Sequence, residues 1–269
     1  MAADDSVNAG QVAADFDARA SNYSRNTWHR RCAEELVALV PLAPGDRVLD
    51  AATGTGFAAH AIAQRVGSGG RIVGVDLSAG MLREAALAAA RENLTIEFLQ
   101  RDATQLPEFE RASFDAVICA AGLLYMPVAQ ALREWRRLLR PGGFVGFSTL
   151  RAGSPPAGRL FRQCAAEFGL RLTDPSAALG SEQAARDALE QANFVVQRIV
   201  ADTIDFSAQD LSLAWESNLR SAGHEAAHRL DAASQADLRD RFLQRLAAEQ
   251  RNDPRSFARA EILYAIATR

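Results

Sequence analysis

The chain has 269 residues, 48% of them hydrophobic, enough to bury a full core as one large or two small domains. Its formal net charge of −3, with both signs interspersed among the 23% charged residues, excludes a global electrostatic attraction to nucleic acid or an anionic membrane. Cys32, Cys119 and Cys164 are widely spaced and read as reduced, buried thiols of a cytoplasmic protein, not as a disulfide framework.

Residues 1–10 are small and polar, with Asp4 and Asp5 and no apolar run, so they read as disordered and not as a signal peptide. No stretch approaches the roughly 18 uninterrupted apolar residues of a membrane span, and no membrane insertion is expected. Residues 11–20 carry Val12 and Phe16 at helical spacing, followed by Ser21-Asn22-Tyr23. Trp28, Cys32, Leu36 and Leu39 then fall on one face of an amphipathic helix that Pro41 and Pro44-Gly45 end. His29 opens that helix; it reads as solvent-exposed, and it is also the best-placed imidazole for a general base.

Val48-Leu49-Asp50-Ala51-Ala52-Thr53-Gly54-Thr55-Gly56-Phe57 combines a buried strand, a tight loop and the start of a helix over residues 57–66. Such a turn lets backbone N–H groups approach a ligand closely, because glycine brings no side chain to block it. Two cofactor classes use loops of this kind. Read as Gly54-x-Gly56-x-x-Ala59, the stretch fits a dinucleotide fingerprint, and Asp76 lies 20 residues after Gly56, where a ribose-binding acid is expected. Asp50 tips the balance: a carboxylate aimed into the loop repels a pyrophosphate but suits an ammonium or sulfonium. The pocket therefore favours S-adenosylmethionine over NAD.

Residues 71–76 form a second strand, and residues 78–91 a helix with Ser78 as N-cap. Met81 by spacing alone is core filling. A third strand over residues 95–99 leads to Arg101-Asp102-Ala103, where Asp102 by itself is a turn residue. Residues 114–120 are nearly unbroken apolar, as in a central parallel strand. Ligands collect outside the carboxyl ends of such strands, so Ala120 to Met126 is expected to line the site. Tyr125 and His29 are the candidates for handling a proton or orienting a substrate.

Val128, Ala131, Leu132, Trp135, Leu138 and Leu139 give a strongly striped helix, and residues 144–148 a fifth strand after Gly142-Gly143. Beyond the breaker-rich residues 151–158, helices are expected over 160–168 and 181–192 and strands over 194–206 and 257–267. Between those strands, residues 207–252 read as a helical lid, a device that excludes water and reads substrate. Ser207 begins its first helix, Ser234-x-x-Asp237 resembles a capping box, and Trp215 reads as a lid anchor or an aromatic substrate wall. His60 reads as a surface or second-layer residue.

In order and spacing, Asp50 to Gly56, Gly74-Val75-Asp76-Leu77-Ser78 with Met81, Arg101-Asp102-Ala103, Phe114-Asp115-Ala116-Val117 and Leu138-Leu139-Arg140-Pro141-Gly142-Gly143 resemble the motifs of class I S-adenosylmethionine-dependent methyltransferases. The resemblance covers residues 33–150. Ala52 stands where the family more often has the first loop glycine, and an alanine there resembles the subgroup that includes the ubiquinone and menaquinone methyltransferases. The resemblance implies an α/β fold, a doubly wound, mostly parallel seven-stranded Rossmann-like sheet with its last strand antiparallel. One domain over residues 1–269 would hold a helical cover (1–40), a cofactor-binding core (41–150) and the lid (207–252). Cofactor contacts are implied for Tyr23 near the carboxylate end, for Asp50, Ala52, Thr53, Gly54, Thr55 and Gly56, and for Ala120. Asp76 and Leu77 would meet the ribose region, Met81 an adenine face, Asp102 the adenine amino group, and the N–H of Ala103 the ring.

His224-Glu225-Ala226-Ala227-His228 is an H-E-x-x-H sequence, and Glu249 lies 21 residues after His228. Zinc chemistry needs a rigid cleft and second-shell support, whereas this stretch follows Gly223 in a short segment of the lid, and Asp231 and Ser234 occupy the positions the extended motif gives to glycine and histidine. No metal is expected.

The leading function is S-adenosylmethionine-dependent methyl transfer to a small molecule at O, N or C, an in-line displacement that relies mainly on alignment. No nucleic-acid partner is expected, since an Asn/Asp-Pro-Pro-aromatic motif and a basic tail are both lacking. Two alternatives stand: an NAD-dependent oxidoreductase, which leaves Asp50 and Asp102 unexplained, and a cofactor-binding protein that does not methylate. The sequence leaves a homodimer open.

Overall fold

The structure, a computed structural model, describes residues 9–221 and 223–269. The expected disorder of the first ten residues falls, for residues 1–8, outside the described residues; Ala9 and Gly10 already belong to a helix. Elements in chain order begin with α1 (Ala9–Tyr23), α2 (Thr27–Leu39), β1 (Arg47–Ala51), α3 (Phe57–Val66), β2 (Arg71–Asp76), α4 (Ala79–Arg91), β3 (Glu97–Gln100) and β4 (Phe114–Ala120). There follow α5 (Val128–Leu138), β5 (Leu139–Leu150), α6 (Pro156–Ala166), α7 (Glu182–Gln191) and β6 (Val195–Asp205). Five helices come next, α8 (Ala208–Ser212), α9 (Ala214–Leu219), α10 (Glu225–His228), α11 (Ala232–Asn252) and α12 (Pro254–Phe257), before β7 (Arg259–Thr268).

The seven strands form one sheet in the order β3-β2-β1-β4-β5-β7-β6, and β7 runs antiparallel to both its neighbours. This is the expected doubly wound, mostly parallel sheet. Because successive side chains of a strand point to opposite faces, the apolar runs feed two cores. Leu49, Val73, Val117 and Phe147 face Trp135 and Leu132 of α5 and Leu189 of α7. Val48, Ile72, Ile118 and Tyr264 face Leu36 and Val37 of α2 and Ile62 of α3. Gly146 lets α2 lie directly on β5, since a Cβ there would sit 2.6 Å from Val40 Cγ2. Strand order reverses between β1 and β4, and the crevice at their carboxyl ends is where a ligand is expected.

A third core lies between α6 and the insertion: Phe161 of α6, Trp215 of α9 and Phe242 of α11 pack together. Trp215 is thus an anchor, 5.7 Å from Phe161 by ring centroids. No helix among the described residues is long and apolar enough to cross a membrane.

Several boundaries depart from expectation for local reasons. Strand β3 starts at Glu97, not at residue 95, because Asn93 is left-handed and the Leu94 N–H returns to the Ala89 carbonyl to close α4. Phe257 belongs to α12, started by Pro254 with Asp253 as cap, so β7 begins at Arg259. The cap of α11 is Asp231, which accepts from the N–H groups of Ala233 and Ser234, so Ser234 lies inside the helix. The capping box is instead Ser207 with Asp210, at the start of α8.

Candidate active site

The loop after β1 carries three left-handed residues at alternate positions: Ala52 at φ 56°, Gly54 at φ 54° and Gly56 at φ 86°. An L-residue in that region costs about 1 kcal/mol, which accounts for the preference for glycine at the position Ala52 holds. The carboxyl end of β2 braces the loop. The Thr53 N–H donates to the Val75 carbonyl at 2.9 Å, and the Gly54 N–H to Asp76 Oδ2 at 2.9 Å. Asp76 Oδ1 accepts from the Ser78 N–H, also at 2.9 Å. From the other side Gly122 comes so close that a Cβ on it would lie 2.6 Å from Ala52 Cβ.

Asp50 is fully buried under this loop. Its Oδ2 accepts from the Thr53 hydroxyl at 2.6 Å, while Oδ1 is buried with no hydrogen-bond partner. Burial pushes its pKa up to about 7, with the nearby Asp76 adding to the rise and the Thr53 hydroxyl opposing it. Such an orphaned carboxylate oxygen fits a cationic group and rejects a pyrophosphate. A cleft of about 30 Å³ lies here, lined by Asp50, Ala52, Thr53, Gly54 and Thr55 together with Tyr23, His29 and Ala120.

Helix α1 is seated on the start of α4. Asp17 Oδ1 accepts from the Ser78 hydroxyl and from the Gly80 N–H, both at 2.6 Å. The Ser78 hydrogen bond, followed by that of Gly80, holds the Asp17 carboxyl below its usual range. Negative charge at a helix N-terminus is favourable, so α1 is held where the dipole of α4 attracts it. From α1 the chain turns into α2 through an aromatic stack, with His29 between Tyr23 at 4.5 Å and Trp28 at 3.9 Å.

A second cavity, of about 140 Å³, opens on the other side of that stack. Its walls are Trp28, Leu124, Tyr125, Leu150, Phe206 and Phe257, with Ala214, Ser217 and Asn218 from α9 closing the far side. The cleft and this chamber share Tyr23, His29 and Ala121. Ala121 is itself left-handed, at φ 53°, and its N–H donates to the buried Ser148 hydroxyl at 3.0 Å.

His29 is half-buried in the stack, not solvent-exposed as its sequence position suggested, and its Nδ1 has no partner. Burial, reinforced by the Arg19 charge, pulls its pKa down to about 3, so the imidazole is neutral at neutral pH. Tyr125 lines only the chamber, edge-on to Phe16 at 5.3 Å. Gly56 caps α3 behind the loop. Met81 is fully buried and presents no open face. Asp102 accepts from the Thr104 N–H at 2.8 Å, and the Ala103 carbonyl accepts from Trp135 Nε1 at 2.8 Å. Asp76 adjoins the cleft through its hydrogen bond from Gly54, and neither it nor Leu77 lines the cleft.

His60 is buried, 3.4 Å from Glu92, and so is the second-layer residue of the two readings. His224 of the H-E-x-x-H stretch is buried as well, its Nδ1 2.7 Å from the Asn218 carbonyl and its ring stacked on Phe161 at 5.2 Å. Among the described residues no group of three or more His, Cys, Asp or Glu side chains could hold a metal ion.

Sequence reasoning missed Arg19, Phe206 and Asp210, all of which line the chamber, while Ala121, Leu124 and Tyr125 fall in the expected lining stretch from Ala120 to Met126. Arg19 was visible as a cation on the Phe16, Ala20, Tyr23 stripe, and Asp210 as the second member of Ser207-x-x-Asp210.

Residues 48–143 match a family model described as a methyltransferase domain. The chain is 38% identical over 153 residues to a demethylmenaquinone methyltransferase of Clavibacter sepedonicus, covering 54% of this chain and 60% of that one. To an aklanonic acid methyltransferase of Streptomyces sp. (strain C5) it is 33% identical over 158 residues, covering 56% of this chain and 71% of that one. The chain spans 60% and 50% of the lengths of the demethylmenaquinone and ubiquinone-biosynthesis methyltransferases that it matches. In fold it is similar to a solved SAM-dependent methyltransferase from Aquifex aeolicus, with a TM-score of 0.54, 16% identity and 88% of each chain covered. With the sheet order, the glycine loop on Asp50 and these likenesses in agreement, the chain belongs to the S-adenosylmethionine-dependent methyltransferase family.

Proposed function

We propose that the chain transfers a methyl group from S-adenosylmethionine to a small, ring-bearing acceptor. The observation that carries this reading is the junction of cleft and chamber at Tyr23, His29 and Ala121, which would bring a donor and an acceptor face to face. Bound in the cleft, the cofactor supplies a methyl group made electrophilic by a sulfonium. Asp50 would hold its cationic end, Tyr23 its carboxylate end, and Asp76 the ribose. Ala52, Thr53, Gly54 and Thr55 would shape the cleft through their backbone, with Ala120 as its floor. Asp102 and Ala103 remain the family's adenine contacts, and Met81 would support that end from within the core.

An alignment-driven displacement asks little acid–base chemistry of the protein. A His29 with a pKa near 3 is a weak base, which supports an orienting role for it and for Tyr125 over proton abstraction. The aromatic chamber walls favour a flat acceptor. Two relatives are named for a demethylmenaquinone and for aklanonic acid, which supports a ring compound of this kind. Cover, core and lid are taken to act as one domain.

The test is to incubate the chain with S-adenosylmethionine and a panel of hydroxylated ring compounds, and to measure S-adenosylhomocysteine by mass spectrometry. Formation of S-adenosylhomocysteine that depends on an acceptor supports transfer. Tight cofactor binding with no turnover across the panel would favour the non-methylating alternative.

A further inference from the structure

Arg19 sits on α1 three residues after Phe16 and four before Tyr23, on the face of the helix turned to the chamber. Its guanidinium carbon lies 4.0 Å from the Phe16 ring centroid and 5.8 Å from that of Tyr23. Its Nε is buried with no hydrogen-bond partner. Among the described residues the one carboxylate that lines the chamber, Asp210, is already engaged: Oδ1 accepts from the Thr27 N–H, and Oδ2 from the hydroxyls of Thr27 and Ser207 and the Ser207 N–H. Arg19 therefore brings a positive charge, without an anion to match it, to a cavity walled by Trp28, Tyr125, Phe206 and Phe257.

A guanidinium with a buried, unsatisfied N–H beside apolar walls is costly until an anion meets it. Its planar fork matches a carboxylate with two parallel hydrogen bonds. One guanidinium balances one negative charge, whereas a diphosphate would leave surplus charge in the apolar chamber. Size narrows the class further, since a chamber of about 140 Å³ is comparable to the roughly 150 Å³ cavity that holds one benzene ring. We propose that Arg19 anchors a carboxylate of the acceptor, so that the chamber takes aromatic carboxylic acids of about one ring; this rests on the methyl-transfer reading above.

Calorimetric titration decides it, run on the full chain with and without saturating S-adenosylhomocysteine. The probes are benzoate, 4-hydroxybenzoate and cinnamate, each beside its own amide, and phenyl phosphate. At least one acid is expected to bind tenfold or more tightly than its amide. Arg19→Gln should erase that preference while S-adenosylhomocysteine affinity stays within threefold, and Arg19→Lys should keep part of it. Acids that bind no better than their amides, a preference that survives Arg19→Gln, or phenyl phosphate as the tightest probe would each overturn the assignment. Failure of S-adenosylhomocysteine to bind would instead strike the methyl-transfer reading, and the acid–amide comparison on the unloaded chain would still decide the role of Arg19.

Discussion

The backbone N–H and the hydroxyl of Thr27 both donate to the carboxylate of Asp210, at 2.7 and 2.8 Å, across 183 residues of sequence. The same carboxylate completes the capping box of α8 with Ser207. One side chain thus ties the start of α2 to the start of the insertion and closes the chamber between them. Asp210→Ala removes the N3 half of that capping box together with the tie, and leaves Ser207 as the N-cap. Hydrogen exchange is expected to accelerate in α8 and α9, and the acceptor KM to rise several-fold with cofactor affinity little changed. Unaltered exchange in both helices would show that the tie does not hold the insertion.

The pH dependence of that latch has a definite sign. Burial of Asp210 works to raise its pKa, but the hydrogen bonds from Ser207 and Thr27 outweigh it and hold the carboxyl below 3.8. Its contribution to stability is present above that unfolded value and is lost as pH falls through the lower, folded one. The latch should therefore stay shut in neutral and mildly acidic solution, and the exchange rates of α8 should rise only in strong acid.

Asp50 behaves in the opposite way. Its folded pKa of about 7 lies above the ordinary carboxylate value of 3.8, so its contribution to stability is complete below 3.8 and disappears as pH rises through about 7. Asp50→Asn keeps an acceptor for the Thr53 hydroxyl and removes the buried charge. At pH 8 the variant, without cofactor, should be more stable than the parent chain by roughly 1–3 kcal/mol in urea denaturation. It should also lose most of its affinity for S-adenosylmethionine. In the parent chain that affinity should weaken as pH falls below 7, because the cation must then displace a proton. A destabilised Asp50→Asn with full affinity would remove Asp50 from the site.

Asp17 offers a kinetic test of the cover. Asp17→Ala cuts both hydrogen bonds that seat α1 on Ser78 and Gly80. Cofactor association and dissociation, followed by stopped-flow fluorescence, should both become several-fold faster. Equal rates in the two proteins would mean that α1 does not gate the cleft.

His29→Phe preserves a ring between Tyr23 and Trp28 and removes both nitrogens. For an orienting residue kcat should fall by less than about tenfold, with the pH profile unmoved. A loss of about 10²–10⁴, the usual range for a removed general base, would restore His29 to proton transfer.

The central strands were legible in the chain because β2 and β4 are mostly apolar runs, and residues 71–76 and 114–120 coincide with them, as residues 57–66 do with α3. The glycine loop was legible for the same local reason, since φ above zero at Gly54 and Gly56 leaves few alternatives. The chamber was not. It is assembled from α1, α2, the ends of β4 and β5 and the insertion, so Arg19, Phe206 and Asp210 meet only in three dimensions. His29 looked exposed because nothing in its local sequence announces that Tyr23 folds back onto its ring. Ser234-x-x-Asp237 matched a capping pattern, but the helix starts a turn earlier, where Asp231 caps it by accepting from the N–H groups of Ala233 and Ser234.

Calorimetric titration with S-adenosylmethionine and, separately, with NAD, on the parent chain and on Asp76→Ala, bears most directly on the donor cleft. Micromolar binding of S-adenosylmethionine alone, lost in the variant, is the expected result. Binding of NAD alone would contradict the role given to Asp50 and with it the proposed methyl transfer.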